Sequence, residues 1–379
     1  MRVVFVSNYL THHQLPFCCA MNARLRGDFC FIETEQMEQE RLDLGWQLKR
    51  NNNINIIKSY TDLKAYQDSY KEIVEADVVI IGGTKDEYIA ERLKADKLIF
   101  RYEERIFKKS WLKLLDPHVL HMIYATHVKN QKKKVYILCA SAYLPQELKL
   151  FHLYRDKMFK WGYFPETCYY NIDELMKKKK HKVTQILWCA RFIYWKHPEK
   201  VIAVAEKLVN QKLKFHITMI GNGKYKAKIE RDVLRKGLEK NISFLEAVSP
   251  EKVREYMEMA NIFLATSDRN EGWGAVINEA MNSGCAVVAD RMMGSVPYLI
   301  QNKKNGYVYR NEKECFFCLK KLIEDEEKRE NVGISAYRTI VETWNAEKAA
   351  ENLLGIMEEQ LKKGSVNSPL YGPGSKALL

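Results

Sequence analysis

At 379 residues the chain is too long for one ordinary domain and suits two of roughly 150–200 residues. Its 46% hydrophobic and 29% charged residues are those of a globular chain with a sizeable core, and no apolar run reaches the roughly 20 residues of a membrane-spanning helix. A formal net charge of +13 admits three partners: nucleic acid, an anionic membrane surface or a phosphorylated substrate.

In chain order, residues 3–6 read as a strand that runs into the polar loop SNYLTHHQLP, whose Asn8, Thr11, His12, His13 and Gln14 come too early for a signal peptide. A helix follows, then strands over 28–33, 78–81 (closed by Gly82-Gly83), 98–101 and 135–138, with a helical pattern over 86–95. Between Arg101 and Lys134 nine Lys/Arg face three acids, and Trp111, Leu112, Leu114 and Leu115 mix there with Lys108, Lys109 and Lys113. Apolar plus basic on one segment is the composition of an interfacial helix, so an anionic membrane surface is an expected partner. The run Lys177–Lys180 reads as a solvated face or linker.

The second half repeats the scheme. Strands are expected over 186–190, 215–220, 242–245, 261–265, 286–289 and 306–309. An amphipathic helix over 198–210 has proline near its start, a long basic helix follows Gly221-Asn222-Gly223, and Ser249-Pro250 opens another helix. Short apolar strands alternating with helices mean parallel sheets covered on both faces. The expected fold is α/β, two doubly wound parallel-sheet Rossmann-like domains, over 1–165 and 166–345. A helix over 346–363 packs back towards the first domain, and a Gly/Ser/Pro tail over 364–379 reads as flexible. The nine cysteines, an odd number with several in apolar runs, point to reduced thiols in the cytoplasm. Cys315 and Cys318 lie on a helical pattern without a second pair, which favours apolar packing over zinc.

In open parallel sheets ligands sit where strands end, and helix N-termini there offer free N–H groups to phosphates. Arg191 and Lys196 stand five residues apart on such a loop and can converge on one diphosphate. Gly221 and Gly223 form a tight turn that lets backbone approach a ligand. The segment EGWGAVINEAMNSGCAVVAD places Glu271 and Glu279 eight residues apart, with Gly272 and Gly274 between them. Eight helical residues span roughly 12 Å, the reach from a nucleotide's ribose to the sugar beyond its diphosphate. An N-terminal acid satisfying a helix dipole accounts for Glu271 but not for Glu279.

This E-x7-E spacing, with the Arg191/Lys196 pair, the Gly221-Asn222-Gly223 turn and the loop Gly294-Ser295-Val296-Pro297, resembles the retaining glycosyltransferases of family four. The resemblance covers about residues 180 to 345 well, and the first domain only by its strand-helix order. It implies a GT-B fold, two domains facing across a cleft, the second binding a UDP- or GDP-sugar and the first the acceptor, a glycan or lipid-linked oligosaccharide precursor in polysaccharide biosynthesis. It further implies that Glu279 holds ribose hydroxyls and that Glu271 contacts the donor sugar near the reacting carbon. The Gly272-Trp273-Gly274 amides meet sugar and phosphates, and Arg191 and Lys196 neutralise the departing nucleoside diphosphate without a metal or other cofactor. Loops such as Glu246-Ala247-Val248 read the base through backbone groups, with Val248 at the donor.

The sequence departs from the family in the first loop, where many relatives carry Gly-Gly and this chain has Ser7 to His13; His12 and His13 are candidate acceptor ligands. For a site histidine of the first domain, His118, His121 and His127 compete, and His127, in YATHVKN ahead of a strand, is assigned the catalytic place. Rival readings are a nucleotide-sugar epimerase or a phosphorylase on the same fold. A basic nucleic-acid-binding protein is the third, and the sequence lacks the aromatic-studded, helix-turn-helix or zinc patterns such proteins carry, so no nucleic-acid partner is expected. The expected location is cytoplasmic, with peripheral contact at the inner face of the membrane.

Overall fold

The computed structural model describes residues 1–43, 54–362 and 368–377. It divides into two compact units, Met1–Glu166 with Asn345–Leu379, and Thr167–Trp344.

The first unit is built on a parallel sheet of β1 (Val3–Ser7), β2 (Phe29–Glu33), β3 (Asn55–Lys58), β4 (Val78–Gly82), β5 (Ile99–Glu103), β6 (Val135–Cys139) and β7 (Met158–Lys160). The order is β3-β2-β1-β4-β5-β6-β7, all parallel, so the sheet grows outward one way to β3 and then the other way from β4. In β1, β2 and β4 every residue is buried, which is why these strands read as unbroken apolar runs rather than as alternation. The sequence pattern missed β3 and β7. β3 is an edge strand left largely exposed, and β7 has only three residues.

Three expectations for this unit are corrected. The segment 101–134 forms no continuous interfacial helix: it divides into the end of β5, a 3-10 turn Trp111–Leu115 and the helix Pro117–Thr126. Asp116 caps that last helix through His118 N (2.9 Å) and Pro117 starts it, which separates the leucines from the helical face. The 86–95 helix likewise begins as a 3-10 turn, Asp86–Ile89, before Ala90–Lys94. The described part of the tail is not loose. The Ser375 carbonyl accepts from Lys160 N at 2.7 Å, Gly374 N donates to the Lys160 carbonyl at 2.8 Å, and Ala377 N donates to the Met158 carbonyl at 3.0 Å. These bonds occupy the outer edge of β7, so the tail seals a sheet edge that would otherwise be open. The helix Ala346–Leu361 also belongs to this unit, where Arg24 pairs with Glu347 and Tyr136 with Gln360.

The second unit carries β8 (Thr184–Cys189), β9 (Phe215–Ile220), β10 (Ile242–Leu245), β11 (Ile262–Ala265), β12 (Ala286–Asp290) and β13 (Tyr307–Tyr309). All pairs are parallel, in the order β10-β9-β8-β11-β12-β13. This is the doubly wound order of nucleotide-binding sheets, with its switch point between β8 and β11. The helix Pro198–Asn210 buries Val201, Val204, Ala205 and Leu208, the i, i+3, i+4, i+7 stripe of its sequence, together with Ile202, in the same core as Trp188 and Ile217 of the sheet. Each of the valine, isoleucine and leucine side chains contributes about 1.5–3 kcal/mol by leaving water.

Lys179 corrects the reading of the lysine run. It ends the helix Ile172–Lys178 inside the unit, 5% exposed, and donates to the carbonyls of Met257 (2.8 Å) and Ala260 (2.7 Å). Those carbonyls terminate the helix Pro250–Met259, so the ammonium satisfies groups that helix geometry leaves open. Burial pushes its pKa down, with the neighbouring Cys285 thiol opposing. Cys315 and Cys318 lie on the helix Glu312–Glu324, Cys315 deep in the core, and all nine cysteines are free thiols.

Candidate active site

The switch point of the second unit is where its chemistry collects. β8 ends at Cys189, and Ala190 to Ile193 lead into a 3-10 turn Tyr194–Lys196. β11 ends at Ala265, and the loop through Glu271 and Gly274 leads into the helix Val276–Asn282. These neighbouring strand ends bring Lys196 and Glu271, distant in sequence, into an ion pair whose side chains are only 14% and 17% exposed. Two hydrogen bonds hold the loops together. Asp268 N donates to the Trp195 carbonyl at 3.0 Å, and the Thr266 hydroxyl, which accepts from Trp188 Nε1 at 2.8 Å, donates to the Lys196 carbonyl.

Arg191 is exposed on the same loop, its guanidinium 5.7 Å from the centre of the Trp195 ring, and no carboxylate pairs with it among the described residues. The site therefore holds one cation neutralised by a carboxylate and one open to solvent.

The glycine turns have steric causes. Gly221 follows β9 at φ +140°, and a Cβ there would overlap the Ala190 carbonyl. Only glycine lets the β9 loop lie against the loop after β8. Asn222 then joins three loops, accepting from Phe192 N (2.8 Å) at its carbonyl and from Ala247 N (3.3 Å) at its side chain. Gly223 extends this turn, and Val248, half-buried, follows Ala247 in the loop after β10. Gly274 has φ +87°, and a Cβ would sit 2.7 Å from Met293 Cε and 3.2 Å from Glu271 Cγ.

The two glutamates are not joined by eight helical residues. Residues 271–275 form a turn, the helix begins at Val276, and Glu279 lies in its first turn. The 12 Å helical span therefore does not apply; glycines at 272 and 274 bend the chain instead. Burial raises the Glu279 pKa, with Arg254 opposing. Burial also pushes the thiol of Cys189 up to about 12, Glu279 adding to the rise and Lys196 opposing it, so both charges face the end of β8. Trp273 is fully buried, its Nε1 donating to Asn278 Oδ1 at 2.9 Å. The Trp273 carbonyl accepts from Ser295 N at 3.1 Å and that of Glu271 from Gly294 N, so the loop before the helix Val296–Leu299 braces the glutamate turn.

In the first unit, His12 and His13 follow β1 at its carboxyl end, their ring centres 3.8 Å apart. Burial lowers the His13 pKa well below the ordinary value, and the His12 ring adds to the effect, so His13 is neutral near pH 7. His127 departs from its assigned place. It is 2% exposed, its Nε2 3.5 Å from Glu103 Oε2 and its ring edge-on to Tyr154, inside a cluster with Arg101 and Asp86. Burial lowers its pKa, with Glu103 opposing, and enclosure on this scale keeps it from touching a ligand. The catalytic role expected of His127 is withdrawn.

Sequence reasoning missed His197 and Asp268. His197 bonds Asp268 Oδ2 through Nε2 (3.0 Å) and Glu199 Oε1 through Nδ1 (2.7 Å). The readable signal was a histidine directly after Lys196 and an aspartate three residues before Glu271.

Two doubly wound parallel-sheet units with paired charges at strand ends define a GT-B protein. Residues 171–339, most of the second unit, match the model of the family described as "Glycosyl transferases group 1". Among curated proteins it is 28% identical to spore coat protein SA of Bacillus subtilis over 31% of this chain and 32% of that one. It is 24% identical to N-acetyl-alpha-D-glucosaminyl L-malate synthase of Bacillus anthracis over 55% of each chain. The chain thus spans about half or less of the length of these relatives. Among solved structures, HepE of Anabaena in complex with UDP is similar in fold, with a TM-score of 0.70, 14% identity, and coverage of 96% of this chain and 100% of that one.

Proposed function

We propose that this protein transfers a sugar from a nucleotide-sugar to a glycan or lipid-linked acceptor, retaining anomeric configuration and requiring no metal or other cofactor. The observation that carries the reading is the Lys196–Glu271 pair, with Arg191 beside it, at the carboxyl ends of the strands flanking the switch point. The departing nucleoside diphosphate gains negative charge in the transition state, and two pre-placed cations there lower its energy more than that of the ground state. Lys196 exchanges Glu271 for a phosphate oxygen, and Arg191 supplies the second contact as a fork. Glu271, released, accepts from a hydroxyl of the donor sugar, and Glu279 accepts from the ribose. The amides of Gly272 to Gly274 complete the cradle, and the loop through Val248 lies at the base. That HepE was solved with UDP favours UDP over GDP as the carrier.

On the acceptor side, His12 and His13 are the proposed ligands at the carboxyl end of β1. An anionic membrane surface meets Leu112 and Leu115, 73% and 78% exposed, with Lys109 and Lys113 beside them. Among the described residues no helix is long and apolar enough to cross a membrane, and the contact we propose is a peripheral one. We place the protein at the cytoplasmic face, with no nucleic-acid partner.

A thermal-shift panel of UDP-, GDP-, ADP- and dTDP-sugars, run in EDTA on the wild type and on Glu279→Ala, tests the reading. A nucleotide-sugar that stabilises only the wild type supports it; a panel in which none shifts the melting temperature overturns it. Cosedimentation with vesicles of anionic lipid tests the membrane contact, which Leu112→Glu with Leu115→Glu abolishes if the account holds and leaves unchanged if it does not.

A further inference from the structure

His197 stands in the left-handed region, φ 49° and ψ 53°, between the turn that carries Lys196 and the helix Pro198–Asn210. A β-carbon resists that conformation, and glycine would occupy it freely. Something must favour histidine there, and its ring contacts supply a reason. Nε2 faces Asp268 Oδ2 at 3.0 Å and Nδ1 faces Glu199 Oε1 at 2.7 Å. Carboxylates on both nitrogens require both to carry hydrogen, which is the imidazolium form.

Asp268 is itself a node of the loop that delivers Glu271. Its Oδ1 accepts from Asn270 N and Asn270 Nδ2, each at 2.8 Å, and its carbonyl accepts from Glu271 N at 3.1 Å. Two ion pairs therefore run in parallel between the loops, Lys196 to Glu271 and His197 to Asp268, beside the bonds to the Trp195 and Lys196 carbonyls. When Lys196 turns to a phosphate, the first link opens. The second does not depend on the ligand.

We propose that His197 is a positioning residue whose imidazolium clamps the Glu271 loop to the Lys196 turn, so that Lys196 can exchange Glu271 for ligand phosphate without the loop moving away. The inference rests on the glycosyltransferase reading of this site. The charged groups around the ring are Asp268 and Glu199, which favour its charge, and Lys200, which opposes it while paired with Asp290 at 3.2 Å. Lys196, Glu271 and Arg269 lie on the two loops the clamp joins. The Asp268 hydrogen bond, then the Glu199 one, raise the His197 pKa to about 9. A raised value means the clamp is complete below the ordinary histidine range and is lost as pH rises through about 9.

The test compares UDP affinity of the wild type, His197→Gly and His197→Arg across about pH 6 to 10, with imidazole NMR of the wild type. Glycine keeps the backbone and removes the clamp; arginine keeps a charge that does not titrate. The expected results are wild-type affinity that weakens about tenfold as His197 deprotonates, glycine affinity weakened about tenfold already at pH 7, and arginine affinity without the alkaline loss. Glycine binding UDP as tightly as wild type at pH 7, or an unchanged alkaline loss in both variants, overturns the proposal. If the wild type binds no UDP at any pH, the reading of the site has failed. The clamp is then judged by the His197 ring signals, which titrate near 9 if it exists and near 6.5 if it does not.

Discussion

Lys196→Ala removes one of the two cations at the switch point, and its effects on folding and on chemistry have different sizes. The pair with Glu271 is 14% and 17% exposed, between the surface case, worth under about 1 kcal/mol, and the enclosed case, where breaking a pair costs about 3–5 kcal/mol. The intermediate exposure sets a folding loss of about 1–2 kcal/mol, and for a unit of this size each kcal/mol lowers the melting temperature by about 2–4 °C. The chemical loss is larger. A preorganised group facing charge that develops in the transition state is worth about 10²–10³ in kcat, or about 2.7–4 kcal/mol. Steady-state release of nucleoside diphosphate, with calorimetry on the same samples, separates the two. Lys207→Ala, which loses a charge from an exposed pair with Glu312, controls for net charge and leaves kcat unchanged. If Lys196→Ala lowers the melting temperature while kcat stays within about threefold of wild type, Lys196 is structural and the reasoning is refuted.

Gly221→Ala places a β-carbon on the Ala190 carbonyl at a φ of +140° and lowers unfolding free energy by about 1–3 kcal/mol, read from the urea midpoint. Lys179→Ala leaves the Met257 and Ala260 carbonyls with the weak Cys285 thiol as their side-chain donor, at about 1–3 kcal/mol in all, read in the same way; a neutral result would mean the thiol suffices for the helix end. Burial alone would raise the Asp268 carboxyl, but the His197 ring and the Asn270 donors hold it below the ordinary aspartate range, and Glu258 is held low by Lys178 and Tyr170 against the same burial effect. Lowered values give stability that is present above the unfolded pKa and lost as pH falls through the folded one. Melting temperature therefore declines between about pH 5 and 3, and Asp268→Asn shallows that decline.

The sheets were readable because their central strands are buried on both faces and so appear as unbroken apolar runs, as in Val3–Ser7 and Ala286–Asp290. Asn55–Lys58 escaped because an edge strand needs little apolar surface, and the tail at Ser375 escaped because its attachment is made by backbone groups that any sequence carries. Arg191, Lys196 and Glu271 were legible as residue types at strand ends. Their pairing was not, because it depends on which strands become neighbours. Lys179 looked like one lysine among four, and only the end of a helix far along the chain distinguishes it. His127 misled because a histidine before a strand carries no mark of its burial.

The central claim is that the strand-end loops of the second unit hold a nucleoside diphosphate between Arg191 and Lys196. A crystal of the wild type soaked with UDP tests it most directly. The account predicts diphosphate oxygens about 2.7–2.9 Å from the Arg191 guanidinium and Lys196 Nζ, with Glu271 released from its lysine. A diphosphate bound elsewhere, or a site in which Lys196 and Glu271 stay paired at saturating UDP, would contradict it.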